Sequence, residues 1–322
     1  MTIFLIWIDA DPFRILIYND FLKNKIKENR MKVLVIGGSG FLGSHVADEL
    51  SSYGHEVTIF DRSHSQYIRS DQKMVVGDIV DRNIIDAAIK NNEVVYHFAA
   101  IADIEEAAQN PFKTVNTNIL GTLNILESAK KNNVKRFVLA SSIYVYSDQG
   151  SIYRTTKQTC ENLVENYREL YNLNFTILRF GSLYGPRADE KNTVFRMISS
   201  ALDKKEIIYN GTGEELREYI HVKDGAAAAV EILDKEFKNS IIHLMGQEKM
   251  TTSQMMAMIT EILGGEIKIS TNSKQISGHY FQTPYSFSPK LGQKLIRKKY
   301  IDIGLGLLDL IEYKDIQNSN QN

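Results

Sequence analysis

From Met31 onward the sequence predicts an α/β protein, a doubly wound parallel sheet followed by a smaller C-terminal lobe. Three observations predict it. Short apolar runs alternate with longer stretches of helical periodicity, a glycine cluster marks the first strand-to-helix junction, and the regular alternation ends after Arg179. Runs that are apolar at nearly every position suit strands covered on both faces, and strands separated by helix-length stretches suit parallel pairing.

Lys32–Ile36 is the first strand and Phe41–Ser52 the first helix. The strands Glu56–Phe60 and Lys73–Val76 follow, then the helix Asp81–Lys90 and the strand Glu93–Phe98. Phe112–Lys131 and Tyr153–Tyr171 have helical spacing and length, and the strands Lys135–Ala140 and Asn174–Arg179 follow them in turn. Turn signals at Gly185-Pro186 and Asn210-Gly211-Thr212-Gly213 then mark a change of architecture. These features divide the chain into a first domain at 31–181, to which 216–245 returns, and a second lobe from 182–215 and 246–310. Residues 311–322 read as a polar tail, with Gln317–Asn322 frayed.

Composition excludes several function classes. Hydrophobic residues make up 43% and charged residues 24% of 322 positions, an ordinary soluble balance with enough chain to bury a large core. A net charge of −1 gives no electrostatic reason for a nucleic acid or an anionic membrane as partner. The single cysteine, Cys160, excludes an intrachain disulfide, fits a reducing cytoplasmic compartment and reads as a small buried side chain. The seven histidines are scattered without metal-ligand spacing, so no metal is expected, and His97 and His221 read as satisfied core groups. Ile3–Ile8 is too short to span a bilayer and lacks the flanks of a signal peptide, so residues 1–30 read as an appendage without chemistry.

The glycine cluster Gly37-Gly38-Ser39-Gly40-Phe41-Leu42-Gly43 stands between a strand and a helix, the context in which such a motif binds a dinucleotide. Glycines allow the tight turn and let backbone N–H groups approach a pyrophosphate, whose charge the helix N-terminus favours. The first domain is therefore Rossmann-type. Asp61 closes the second strand 18 residues after Gly43, where a carboxylate can accept hydrogen bonds from the adenosine ribose. That charge would repel a 2′-phosphate and favours NAD over NADP, a preference that Arg62 beside it tempers.

Two Tyr-x-x-x-Lys pairs occur, Tyr153–Lys157 and Tyr219–Lys223. The first opens a long helix after the strand that leads to Ser142, whereas the second interrupts the apolar run Tyr219–Val222 and reads as structural. One helical turn puts Tyr153 and Lys157 on a common face. Phenolate at pH 7 costs roughly 4 kcal/mol for an ordinary tyrosine, about what one ammonium at roughly 4 Å can supply. Ser142 can hold the reacting oxygen at near-attack distance.

Taken in order, a series of motifs resembles the extended short-chain dehydrogenase/reductase family in its nucleotide-sugar epimerase/dehydratase branch, with UDP-glucose/galactose 4-epimerase-like members. The series begins with Gly37-x-x-Gly40-x-x-Gly43, Gly77-Asp78-Ile79, His97-Phe98-Ala99-Ala100 and Asn118-x-x-Gly121-Thr122-x-Asn124. It continues with Ser141-Ser142-x-x-Val145-Tyr146, Tyr153-x-x-x-Lys157, Leu178-Arg179-Phe180, Leu183-Tyr184-Gly185-Pro186-Arg187 and Arg217-x-Tyr219-Ile220-His221-Val222-Lys223-Asp224, and the likeness covers residues 31–310. The resemblance implies that Asp78 and Ile79 flank the adenine, that Ala99 and Ala100 line the dinucleotide groove, and that Asn118 lies on the nicotinamide side. It implies that Lys157 also holds the nicotinamide ribose and that Ser182 and Arg217 contact the substrate, Arg217 gripping its diphosphate. The implied activity is 4-epimerase-like: Tyr153 deprotonates a sugar hydroxyl, hydride passes to NAD, and after the keto sugar turns, hydride returns to its other face. The implied substrate is a nucleoside-diphosphate sugar, and the implied assembly a homodimer through the helices at 112–131 and 153–171. A ketoreductase or dehydrogenase with exchangeable NAD(P)(H) shares the triad, and a dinucleotide-binding protein without catalysis is a third reading.

The sequence departs from this branch at three places. Ile143 follows Ser142 where 4,6-dehydratases carry an acid, which disfavours dehydration. Only ten residues separate Ser142 from Tyr153, so the lip beside the sugar is short. Ser182 replaces an expected Asn, and Ser277–Tyr285 offers His279 where the family has a second phosphate-binding Arg.

Overall fold

A computed structural model describes residues 30–272, 278–282, 293–295 and 297–320. All but the last residue of the 1–30 appendage, and Ser277 with 283–285 of the segment searched for a second arginine, lie outside them.

Eight strands form one parallel sheet: β1 (Lys32–Ile36), β2 (Glu56–Asp61), β3 (Lys73–Val76), β4 (Val94–His97), β5 (Arg136–Ser142), β6 (Phe175–Phe180), β10 (Ser240–Leu244) and β13 (Gln293–Lys294). Their order is β13-β10-β6-β5-β4-β1-β2-β3, with the reversal between β1 and β4 that defines the switch point of a doubly wound sheet. Every residue of β4, β5 and β6 is buried because apolar layers cover both faces. One layer packs α1 (Phe41–Ser52) and α8 (Val222–Glu231) on the sheet, and the other packs α2 (Arg82–Ile89), α5 (Gly121–Lys131) and α6 (Ser151–Tyr171). The side chain of Asp81 accepts the Asn83 and Ile84 amides and so starts α2.

The predicted helix at 112–131 is more divided than its periodicity suggests. It begins as α4 (Pro111–Val115), passes through a π turn at Asn116–Leu120 and continues as α5. A further helix, α3 (Ile104–Gln109), precedes it, started by Asp103 accepting the Glu106 amide.

The second lobe has its own core. Helices α7 (Thr193–Lys204), α9 (Thr252–Ile262) and α10 (Ile303–Ser319) bury Phe195, Ile198, Met255, Ile259, Leu307 and Leu310 together. Its strands are β7 (Ser182–Tyr184), β9 (Leu216–His221) and β11 (Lys249–Thr251) in one small sheet, and β8 (Glu206–Tyr209) with β12 (Lys268–Thr271) in another. Two boundaries move accordingly. The return to the first domain begins at Val222, not 216, because β9 pairs with β7 and β11 instead of the large sheet. Within 246–310, β13 joins the edge of that sheet. The expected tail at 311–322 also starts too early, since α10 runs to Ser319 with Leu307, Leu310 and Ile311 buried at helical spacing. No helix among the described residues is long and apolar enough to cross a membrane.

Candidate active site

At the carboxyl ends of β1 to β4 the backbone forms a cradle. Gly37 has φ +82°, and a Cβ there would stand 2.5 Å from the Ala99 amide nitrogen. A Cβ on Gly43 would overlap the Gly37 carbonyl oxygen. Gly40 caps α1 without a side-chain hydrogen bond, so the first N–H groups of the helix, those of Phe41 and Leu42 among them, are left for a phosphate. Asp61 lies at the end of β2, accepting the Ser39 amide at 3.0 Å and the Arg62 amide at 2.7 Å, which ties the ribose-side carboxylate to the glycine loop. Asp78 accepts the Val80 amide at 3.1 Å, while Ile79 is buried against Gly121, where a Cβ would come within 2.5 Å of Ile79 Cδ1. With Ala99 and Ala100 following β4, these residues fit an extended dinucleotide lying across the switch point.

Asn118 is buried. Its amide oxygen accepts the Ile101 N–H at 2.8 Å, and its nitrogen donates to the Ile101 carbonyl and Thr156 Oγ1 at 3.0 Å each. It therefore pins the loop after β4 to α6.

β5 ends at Ser142, and α6 begins nine residues later with Tyr153 and Lys157 on one face. Ser142 is buried, with its hydroxyl accepting the Tyr144 amide at 3.3 Å. Burial pushes Tyr153 up to about 12, with the nearby Ser142 hydroxyl pulling the other way. Phenolate at pH 7 would then cost about 7 kcal/mol, more than the value for a free tyrosine. Lys157 Nζ donates to the Ala140 carbonyl at 2.7 Å and stands 5.8 Å from the Tyr153 ring centroid. A buried ammonium needs an acceptor, and the end of β5 provides one. Burial lowers the Lys157 pKa as well.

The substrate end is made of side chains from distant stretches. Arg217 on β9 is buried, lays its guanidinium 4.3 Å over the Tyr280 ring, and donates Nη1 to the Leu216 and Phe281 carbonyls at 3.1 Å each. Tyr280 packs 4.6 Å from Tyr144, whose ring meets Tyr153 edge-on at 6.3 Å, so one aromatic chain joins Arg217 to Tyr153. Ser182 on β7 is the register partner of Tyr219, two residues along β9 from Arg217. The second Tyr-x-x-x-Lys pair is divided by a strand end: Tyr219 is in β9, and Lys223 in α8 donates to Asp309 at 2.9 Å.

This arrangement has known counterparts. The family described as "NAD dependent epimerase/dehydratase family" matches residues 33–244. The chain belongs to that family. It is 29% identical over 253 residues to a putative UDP-glucose 4-epimerase of Methanocaldococcus jannaschii, covering 72% of this chain and 82% of that protein. It is 28% identical over 264 residues to the UDP-glucuronate 4-epimerase of Thermodesulfobacterium geofontis, covering 73% and 81%. Among solved structures, UDP-glucose 4-epimerase of Thermotoga maritima with UDP-glucose superposes with a TM-score of 0.78 at 25% identity, over 89% of this chain and all of that one.

In this epimerase/dehydratase-family chain, two groups of buried polar residues have roles that the motifs alone do not give. Glu161 and Arg179 form a fully buried ion pair with Nη2–Oε2 at 2.6 Å. Glu161 also accepts the Ser141 hydroxyl at 2.5 Å, and Arg179 bonds the Tyr146 hydroxyl, so the pair holds both flanks of the Ser142 segment. Glu161 lies one helical turn beyond Lys157, a signal visible in the sequence. His97 is buried as expected, donating or accepting at Thr122 Oγ1 over 2.8 Å, but its Nδ1 has no hydrogen-bond partner among the described residues, so it is only half satisfied. Cys160 is buried and donates to the Asn118 carbonyl at 3.1 Å, a structural thiol.

Proposed function

We propose that the chain is an NAD-dependent epimerase of a nucleoside-diphosphate sugar, inverting a ring carbon by transient oxidation in the manner of a 4-epimerase. The observation that carries this reading is the placement of Ser142, at the end of β5, near Tyr153, which shares one helical face with Lys157, beside a glycine cradle shaped for a dinucleotide. When bound, the nicotinamide supplies reversible acceptance of hydride from the sugar carbon. The chain's own residues handle the proton. Tyr153 takes it from the sugar hydroxyl and gives it back, Ser142 holds the reacting oxygen, and Lys157 provides the positive charge that brings the phenol towards neutrality. Swinging Nζ from the Ala140 carbonyl towards the ribose and phenol gives Lys157 that role. Arg217 grips the diphosphate with a fork suited to two phosphate oxygens. Ile143 in place of an acid after Ser142 leaves dehydration without its proton donor.

The reading includes a homodimer. Phe112 is 92% exposed, and Val115, Leu120, Leu170 and Tyr171 are also exposed on the helices at 111–131 and 151–171. Such a face marks an interface. Phe112→Glu is expected to yield monomers by sedimentation.

The deciding experiment incubates purified protein, without added cofactor, with UDP-, dTDP-, GDP- and CDP-sugars and reads the products by NMR. Co-purified NAD and an equilibrium mixture of epimers support the epimerase. Turnover only with stoichiometric consumption of added NAD(H) overturns it in favour of a dehydrogenase or reductase.

A further inference from the structure

The nucleotide-sugar reading leaves open whether the sugar is neutral or a uronic acid, and the relatives include both kinds. The wall beside the reacting carbon bears on that choice. A sugar whose diphosphate meets Arg217 and whose hydroxyl meets Tyr153 must lie along the chain of side chains between them. That chain is Tyr280 and Tyr144, backed by Ile143 and Met245 in one buried apolar cluster. From this geometry we infer that the Ile143–Tyr144–Tyr280 wall makes the enzyme selective for an uncharged sugar ring over the corresponding uronate.

A carboxylate brought to this wall loses water and needs a cation or several N–H and O–H donors in return. The hydroxyls of the wall are already engaged. The Tyr144 hydroxyl is bonded to His279 Nδ1 at 2.8 Å, and the Ser142 hydroxyl accepts the Tyr144 amide at 3.3 Å, while the one buried donor here without a partner among the described residues is Arg154 Nε. Ile143 contributes no donor side chain. Burial and Arg217 keep His279 below the ordinary histidine range, so its ring is neutral at physiological pH. The charges that act on His279 are Arg217 and Arg196 on one side and Glu105 and Asp103 on the other. Once Arg217 is committed to the diphosphate, the balance at this end is acidic. Arg154, next to Tyr153, points about 100° round the helix from it and donates Nη1 to the Ser147 carbonyl at 2.8 Å. A C6 hydroxymethyl or an N-acetyl group, by contrast, meets an aromatic wall that suits sugar C–H surface. The same selectivity separates this chain from decarboxylases, whose substrate must be a uronate.

The inference rests on the nucleotide-sugar reading, and matched substrate pairs keep the two distinguishable. UDP-glucose is compared with UDP-glucuronate, and UDP-N-acetylglucosamine with its C6 uronate, by kcat/KM with NMR detection. A preference of about 100-fold or more for the neutral member of the pair that is turned over supports the inference. Equal turnover of the uronate, or release of carbon dioxide from it, overturns the inference and leaves the nucleotide-sugar reading standing. Conversion of no member of either pair, and of none of the dTDP-, GDP- and CDP-sugars, overturns both. A second measurement tests the wall itself. The Ile143→Ser/Tyr144→Ser variant adds hydroxyls and room for water, and its uronate-to-neutral ratio is expected to rise at least tenfold, chiefly through a lower uronate KM. A ratio that stays where it was in a folded variant overturns the assignment of selectivity to this wall.

Discussion

The cofactor end and the sugar end of this site are built differently. At the cofactor end the backbone does the recognition: Gly37 and Gly43 are packed so closely that a single Cβ would collide, and α1 offers N–H groups that no side chain caps. These features follow from residues adjacent in the chain. The sugar end takes Ser142 and Tyr144 from the end of β5, Tyr153 from α6, Arg217 from β9, and His279 and Tyr280 from a loop more than sixty residues further on. Its shape exists only after the second lobe has docked. A backbone site tolerates variation everywhere except at its glycines, whereas a side-chain site can change substrate by one or two substitutions.

The largest expected effect is on the chemistry that joins the two ends. Tyr153→Phe removes the proton-transfer group while keeping the ring that packs on Tyr144, so kcat should fall by about 10³-fold with little change in fold. A variant within threefold of wild type would break the assignment of Tyr153 as the proton-transfer group. Gly43→Ala comes next, because the added Cβ meets backbone that cannot step aside. A loss of about 3 kcal/mol in stability and of co-purified NAD is expected, read by thermal melting and nucleotide analysis. Full NAD content at wild-type stability would show that the cradle is looser than its packing implies.

Arg217→Ala tests the sugar end in the same way. Loss of a charge-assisted contact to the diphosphate should cost about 2 kcal/mol, roughly a thirtyfold rise in KM with kcat less affected. An unchanged KM would restrict Arg217 to its structural bonds with Leu216 and Phe281.

Buried histidines serve both ends and predict the pH response of the fold. Burial lowers His97 to about 3 and His243 to about 4, the latter bonded to the Tyr146 hydroxyl. The unfolded chain binds protons at these sites below about 6.5, while the folded chain does not. Stability is therefore complete above that pH and falls as the pH drops towards 4, by up to about 1.4 kcal/mol per pH unit for each histidine. Melting temperatures that stay flat between pH 7 and 4.5 would contradict the burial of these rings.

How much of this was legible in the sequence follows the same division. The Rossmann-type sheet, the glycine turn and the helix that carries Tyr153 and Lys157 could be read because each depends on local spacing. The extra helix Ile104–Gln109 and the π turn at Asn116–Leu120 could not, since short helices and a changed helical pitch leave weak periodicity. That residues 216–221 pair with the second lobe could not be read either, because apolar content does not say which neighbour a strand finds. The polar look of residues 311–322 hid Ile311, whose burial depends on the partner core and not on its neighbours in sequence. Lys157 was placed correctly on its helix, but its hydrogen bond to Ala140 belongs to tertiary packing.

The smallest expected effect is at Asp61, where the two kinds of recognition meet. Its carboxylate serves the loop, through the Ser39 and Arg62 amides, and on this reading also the adenosine ribose. Asp61→Asn keeps a carbonyl oxygen for one amide and removes the charge. Near the surface a unit charge a few ångströms away acts with about 1 kcal/mol, and exposed Arg62 beside it already offsets part of the repulsion towards a 2′-phosphate. NAD should therefore bind a few times more weakly and NADP about tenfold more tightly, measured by titration of each dinucleotide. A ratio that does not move, with a lower melting temperature, would assign Asp61 wholly to the loop. Cofactor choice would then rest on Arg62 and the backbone, and the cofactor end would be a backbone site throughout.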